Sequence, residues 1–338
     1  MTSLHFVSLG CPKNLVDSEV MLGLLLREGF SLIADPKDAE VIVVNTCAFI
    51  EDAKKEAIDT ILDMSQHKSE GKCRMLVVAG CLPQRYSGEV HKLFPEVDLF
   101  VGAGEFMRIV ELIKEWQGVQ SLHVGRPQFL YDHETPRVQA TPSHSAYIKI
   151  AEGCFHPCSF CIIPKIRGRL RSRALESVIH EAQTMLDRGV LELNLVAQDT
   201  TAYGKDIGSN LATLLSSLAL LPHEKWIRFL YAYPDEFPEN VIDVMRDYPH
   251  ICKYVDIPIQ HINNRVLTDM RRKGNGREIK ELIERLRMKI PEVVLRTSLI
   301  VGFPGETDKE FEELLDFVRE TKFDNLGAFT FSPEEGTI

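Results

Sequence analysis

The stretch AYIKIAEGCFHPCSFC, residues 146–161, governs the reading of this chain. Its first half is an apolar run of strand length, and its second half sets Cys154, Cys158 and Cys161 in a CxxxCxxC pattern directly behind that strand. Five more strand candidates follow: ELNLVAQD, WIRFLYAYP, YVDIPIQ, VLRTSLIVG and NLGAFTFS. Helical patterns lie between them, among them ALESVIHEAQTMLDRG, PENVIDVMRDY, EIKELIERLRMKI and TDKEFEELLDFVRET. Six strands interleaved with helices predict an α/β barrel or part of one. The cysteine pattern then falls in the first βα loop, on the barrel face that carries active sites. The chain stops at SPEEGTI without a sixth helix, which reads as a truncated barrel end.

Upstream, the pattern is again α/β. Three apolar runs, LHFVSLGC, EVIVVNTC and RMLVVAGC, each end on a cysteine: Cys11, Cys47 and Cys81. The helical segments LVDSEVMLGLLLREG and EDAKKEAIDTILDMSQH separate them, so the strands are expected to be parallel. A parallel sheet delivers its strands' C-terminal ends to one edge, where open α/β sheets bind ligands. Three cysteines far apart in sequence are therefore expected to converge. The competing reading is three small apolar core residues, a common fate of free cysteine. Between the two series the pattern weakens, and RPQFLYDHETPRVQATPSHS reads as a connection. The expected organisation is an amino-terminal parallel-sheet α/β domain over 1–116, a linker over 117–143 and the barrel over 144–338.

The 338 residues are 44% hydrophobic and 26% charged, ordinary for a soluble globular chain. No apolar run reaches membrane-spanning length, and the start lacks the basic region of a secretory signal, so a cytoplasmic location without membrane contact is expected. In that compartment eight cysteines point to metal or catalytic use rather than disulfides. The net charge of −10 weighs against a broad nucleic-acid surface and suits a basic protein partner.

Three closely spaced thiolates fit one metal centre. An iron–sulfur cube commonly takes four cysteines, so three leave one iron open for a substrate or cofactor. The alternative is zinc, with His156 or a distant histidine as fourth ligand, but closed zinc sites usually pair two CxxC-like knuckles and no second pair occurs. An open cluster in a barrel mouth suggests radical chemistry by S-adenosylmethionine.

CxxxCxxC after the first strand of a partial barrel resembles the radical S-adenosylmethionine superfamily. NLVAQDTTAYG and TSLIVGFPGET resemble the strand ends that line the cofactor pocket there. SLGCPKNLVDSE, NTCAFIEDAKKEAIDTIL and AGCLPQRY resemble the methylthiotransferase family within it, as do IIPKIRGRLRSR, IPIQHINNRVLTDMRRKGN and FSPEEGT. The resemblance implies a partial (β/α)6 radical SAM barrel and two 4Fe–4S clusters. Cys154, Cys158 and Cys161 would hold the radical SAM cluster, and Cys11, Cys47 and Cys81 an auxiliary cluster. One molecule of S-adenosylmethionine would be cleaved to a deoxyadenosyl radical, a second would supply the methyl group, and the auxiliary cluster would supply or present the sulfur. Gln198, Ser298 and Gly302, at predicted strand ends, are candidates for contacts with the cofactor.

That family has two branches, one modifying an adenosine of tRNA and one modifying the β-carbon of an aspartate in small-subunit ribosomal protein twelve. PKNLVDSE after Cys11, AFIEDAKKE after Cys47 and PKIRGRLRSR resemble the second. The tRNA branch and a zinc-stabilised binding module are the alternatives. The implied partners are the ribosomal protein, an electron donor of flavodoxin or ferredoxin type and a sulfur source. Members normally end in a small β-domain, the TRAM domain, which is expected to be absent here. The basic run Lys165, Arg167, Arg169, Arg171 and Arg173 has three open readings: phosphate contacts, a solvated loop, or contacts to the cofactor carboxylate. Cys73 and Cys252 fit neither triad and are expected to be ordinary cysteines.

Overall fold

A computed structural model describes residues 1–338. They form two compact units, one of Met1–Ala140 with Ile162–Gly168, the other of Thr141–Cys161 with Arg169–Ile338.

The first unit is built on six strands: β1 (Ser3–Ser8), β2 (Ser31–Leu32), β3 (Val41–Thr46), β4 (Met75–Gly80), β5 (Leu99–Gly102) and β6 (Ser121–His123). Every residue of β3 and β4 is buried. Such continuous apolar runs belong to central parallel strands covered on both faces. The covering helices are α1 (Pro12–Arg27), α2 (Glu51–Glu70), α3 (Cys81–Arg85), α4 (Val90–Leu93) and α5 (Ile109–Glu115). Helix α2 buries only Ala57, Ile61 and Met64, one stripe at helical spacing, and leaves its charged faces outside. A short helix, α6 (Ile163–Arg167), joins this unit, and Ile162 and Ile166 enter the same core as Ile42, Val44, Leu76, Val78 and Phe100.

The sheet order is β2-β1-β3-β4-β5-β6, with every neighbouring pair parallel. From β1 the chain moves outward to β2, then returns to add β3 on the other side. Connections leave β1 and β3 in opposite directions, opening a crevice at their carboxyl ends, the usual ligand site of a doubly wound sheet. The sequence pattern marks β1, β3 and β4; β2, β5 and β6 are only two, four and three residues long, too short to show a period. Within 117–143, Ser121–His123 forms the edge strand β6. Further on, Arg137 pairs with the fully buried Glu19 of α1 at 2.5 Å, and Ala140 N donates to the same carboxylate at 2.6 Å.

The second unit holds β7 (Ser145–Lys149), β8 (Ala151–Glu152), β9 (Arg171–Ser172), β10 (Glu192–Val196), β11 (Trp226–Phe229), β12 (Tyr254–Asp256), β13 (Val294–Val301) and β14 (Asn325–Thr330). Its helices are α7 (Leu175–Asp187), α8 (Leu211–Ala219), α9 (Glu239–Asp247), α10 (Asn264–Asp269), α11 (Gly276–Lys289) and α12 (Asp308–Thr321). Two parallel sheets, β11-β10-β7 and β12-β13-β14, are stitched by a parallel bridge between Ile227 and Ile251. The six long strands thus follow one another in chain order, and β14 pairs with β13 but not with β7. This is the open, partial (β/α)6 barrel that the strand and helix pattern predicts. Strands β8 and β9 pair antiparallel and close the root of the excursion that carries the CxxxCxxC cysteines. No helix is long and apolar enough to cross a membrane.

Candidate metal centres

In the first unit, Cys11, Cys47 and Cys81 stand at one sheet edge. Cys47 follows β3 and Cys81 follows β4 directly, while Cys11 lies three residues past β1. Cys11 caps α1 in extended conformation, and its carbonyl accepts from Asn14 N at 2.9 Å and Leu15 N at 3.0 Å. Two glycines let the loops close in. Gly10 has φ +90°, and a Cβ there would come within 2.6 Å of Cys47 Cβ. Gly80 has φ +95°, and its Cβ would come within 2.3 Å of Asn45 Oδ1. Side-chain amides tie the strand ends together. Asn14 Nδ2 donates to Leu9 O at 2.8 Å, Asn45 Nδ2 donates to Asn14 O at 3.0 Å, and Leu82 N donates to Thr46 Oγ1 at 3.2 Å.

The three thiols feel one another's charge and a shared cation. Burial works to raise Cys11, but Lys13, Arg167 and the amides of Asn14 and Lys13 together bring it below the usual thiol range. Burial raises Cys47 against the amides of Phe49 and Ala48. Burial pushes Cys81 up to about 12, with the Arg167 guanidinium opposing it. Arg167, itself buried, donates through Nη2 to Cys81 Sγ at 3.2 Å and to Asn14 Oδ1 at 2.9 Å, and through Nη1 to Asp17 Oδ2 at 2.5 Å.

In the second unit the loop after β8 carries Cys154, Cys158 and Cys161. Cys154 Sγ accepts from His156 N at 3.4 Å, and Cys161 N donates to Cys158 O at 3.1 Å. Ser159 pins the loop to α10 through N to Met270 O at 2.9 Å and Oγ to Asp269 O at 2.8 Å. Burial raises Cys154 to about 11 and also raises Cys158, the latter against the Arg272 cation. His156 is engaged elsewhere than a metal: Nε2 lies 2.7 Å from Asp199 Oδ2, and its ring stacks on Tyr233 with centroids 3.8 Å apart. Arg272 covers the Tyr233 ring at 4.3 Å.

Gln198, just past β10, donates through Nε2 to Glu152 Oε1 at 2.6 Å, two residues before Cys154. Glu152 also takes the ammonium of Lys149 at 2.6 Å. Ser298 lies within β13, half-buried, and its carbonyl accepts from Gln260 N at 2.9 Å. Gly302 follows the end of β13 at φ +71° with open space where a Cβ would stand. Of these three, Gln198 is the one tied to the cysteine loop. The basic run divides: Lys165 and Arg169 are exposed, Arg171 is half-buried, and Arg167 and Arg173 are buried in ion pairs. None of the sequence readings of that run describes buried pairs; Asp17 in NLVDSE and Glu181 in α7 are the partners, and neither carries a local signal. Cys73 packs in the first unit's core with Sγ on Met75 O at 3.4 Å, and Cys252 flanks the Ile227–Ile251 bridge.

The donor sets suit clusters better than single ions. Each triad is all thiol, the soft donor that iron–sulfur centres take. No group of three or more His, Cys, Asp or Glu side chains is gathered closely enough to hold one metal ion. A cluster asks less of the spacing, since each thiolate meets its own iron. Beside the second triad, Gln198 Oε1 and His156 Nδ1 are buried without a hydrogen-bond partner, two polar atoms left for a bound group to meet.

Residues 3–102 match a family described as "Uncharacterized protein family UPF0004", and residues 148–318 match the Radical SAM superfamily. The chain is 53% identical over 338 residues to the ribosomal protein uS12 methylthiotransferase RimO of Geotalea uraniireducens, covering 99% of this chain and 75% of that protein. It is 50% identical to the protein of the same name from Geobacter sulfurreducens, again over 99% of this chain and 76% of the relative. Among solved structures, a radical S-adenosylmethionine methyltransferase, TsrM, from Kitasatospora setae, with cobalamin and a [4Fe-4S] cluster bound, superposes with a TM-score of 0.71 at 15% identity, over 98% of this chain and 77% of that one. That likeness is one of fold.

Proposed function

The chain belongs to the ribosomal protein uS12 methylthiotransferase family, and we propose that it adds a methylthio group to the β-carbon of an aspartate in that ribosomal protein, using two 4Fe–4S clusters and S-adenosylmethionine. Cys154, Cys158 and Cys161 hold the radical SAM cluster, and Cys11, Cys47 and Cys81 hold the auxiliary one. The observation that carries this reading is the double triad: three thiols in the first βα loop of a partial barrel, and three more at the switch point of a doubly wound sheet. When bound, these groups supply one-electron chemistry able to functionalise an unactivated C–H bond, together with the sulfur and the methyl group.

The protein's own residues hold and orient. Ligation requires thiolates, and Lys13, Arg167 and the first amides of α1 favour the anionic form of Cys11. Arg272 does the same for Cys158. The hydrogen bond of His156 to Asp199 and its stack on Tyr233 fix the loop between Cys154 and Cys158. Gln198, held by Glu152, offers its free Oε1 to the cofactor's ammonium group. Ser298, on β13, and Gly302, just past its end, are further candidates for contact with the cofactor. An electron donor of flavodoxin or ferredoxin type and a sulfur source complete the cycle, because the reaction consumes both. A reducing cytoplasm is the compartment in which thiolate-held clusters are kept.

The test is mass spectrometry after anaerobic turnover with a low-potential reductant. A peptide of the uS12 target loop should gain a methylthio group on its aspartate, and the same peptide with Asp→Ala should not. Modified adenosine in tRNA, with the peptide untouched, would overturn the assigned substrate.

A further inference from the structure

Arg167 donates to a sulfur of the first triad, and its surroundings hold it there. The guanidinium side chain is 3% exposed and the Asp17 carboxylate 4%. Nη1 meets Asp17 Oδ2 at 2.5 Å; Nη2 meets Asn14 Oδ1 at 2.9 Å and Cys81 Sγ at 3.2 Å. Asp17 and Asn14 lie on one face of α1, whose amino end is Cys11. Helix α6 presents Arg167 from the other side, anchored in the core by Ile162 and Ile166. The ion pair is therefore a fixed dipole with its positive end on the ligand sulfur.

We propose that Arg167 is a positioning residue that sets the reduction potential of the centre on Cys11, Cys47 and Cys81, with Asp17 as its counterweight. This rests on the reading that the triad holds a cluster. Hydrogen bonds to ligand sulfur and nearby charge are recognised controls of cluster potential. A cation donating to Cys81 Sγ draws electron density from the sulfur and favours the reduced state. Asp17 offsets part of that field, and Asn14 keeps the guanidinium plane turned toward the sulfur. The two charges thus act on the same centre with opposite sign.

That opposition makes the test specific. In protein carrying Cys154→Ala, Cys158→Ala and Cys161→Ala, only the first triad can load, and about four irons per chain should be found after reconstitution. Redox titration followed by electron paramagnetic resonance then gives its midpoint. Arg167→Met should lower the midpoint, because it removes the positive charge at Cys81 Sγ while the negative charge of Asp17 stays. Asp17→Asn, which keeps the side chain's size, should raise it. The Arg167→Met, Asp17→Asn double variant should fall between. A residue that merely builds the loop would reduce iron content and thermal stability without opposed shifts. If Asp17→Asn loads fully and its midpoint does not rise, the proposal fails whatever Arg167→Met does. Shifts in the same direction, or loss of iron from both single variants, overturn it as well. A parent that takes up no iron refutes the cluster reading itself, a separate result from an unmoved midpoint.

Discussion

Arg167 and Arg173 stand in one basic run, and each is buried against a different carboxylate. Arg173 pairs with Glu181 of α7, donates to Ser177 Oγ at 2.9 Å and reaches Lys149 O at 3.2 Å, tying β9 to α7. Removing one partner of such a pair leaves an uncompensated charge away from water. Glu181→Ala should therefore cost about 3–5 kcal/mol, read as a lower denaturant midpoint. Arg173→Met together with Glu181→Leu should recover much of it, since the apolar replacement leaves no buried charge. The cysteines make a second prediction at this scale. Cys47→Ala should lose about half the iron while leaving reductive cleavage of the cofactor measurable, and Cys158→Ala should lose the other half and abolish cleavage. Iron analysis beside a cleavage assay checks both. If either substitution alone empties both sites in folded protein, the triads are not independent.

Among the elements, α12 is fixed at its start by a capping box. Thr307 Oγ1 accepts from Glu310 N at 3.4 Å, and Glu310 Oε2 accepts from Thr307 N at 2.9 Å. Arg265 of α10 adds a bidentate contact to the same carboxylate, at 2.6 and 2.5 Å. Arg265, then the hydroxyl and amide of Thr307, draw Glu310 down to about 2. A depressed carboxylate binds fewer protons folded than unfolded, so its stabilisation is complete above the unfolded pKa. It is lost as pH falls from about 4.5 toward about 2. Arg265→Met should flatten that part of the stability–pH curve and leave the neutral limb's slope unchanged. Thermal melts from pH 2 to 7 measure it; a slope identical to the parent's below pH 4.5 would contradict the assignment. The elements that escape the sequence pattern share a cause. β2 and β6 are edge strands of two and three residues, and α8 is only nine residues long, all too short for a period to stand out.

For the molecule as a whole, charge shapes encounter. The chain carries a net −10 and is proposed to act on a basic ribosomal protein. Complementary charge speeds association and is screened by salt. KM for the intact ribosomal protein should therefore rise as ionic strength goes from about 0.05 to about 0.15 M, with kcat nearly constant. A KM indifferent to salt would show that net charge plays no part in recognition. The sequence alone determined a good deal at this scale. Six barrel strands, three strands leading to cysteines and the CxxxCxxC loop are local patterns, written in periodicity and spacing; β3 and β4 run directly into Cys47 and Cys81, while β1 stops at Ser8, three residues short of Cys11. Tertiary structure alone decided which strands are neighbours and which charges are buried. Sheet order set β3 beside β1, so that Cys11 and Cys47 share the crevice at the switch point. Packing took Arg167 out of a basic run and set it on Asp17, 150 positions away, and on Cys81, 86 positions away. An arginine bound for water and one bound for a buried carboxylate look alike in sequence. The difference is desolvation offset by a partner, and that exists only once distant segments are packed together.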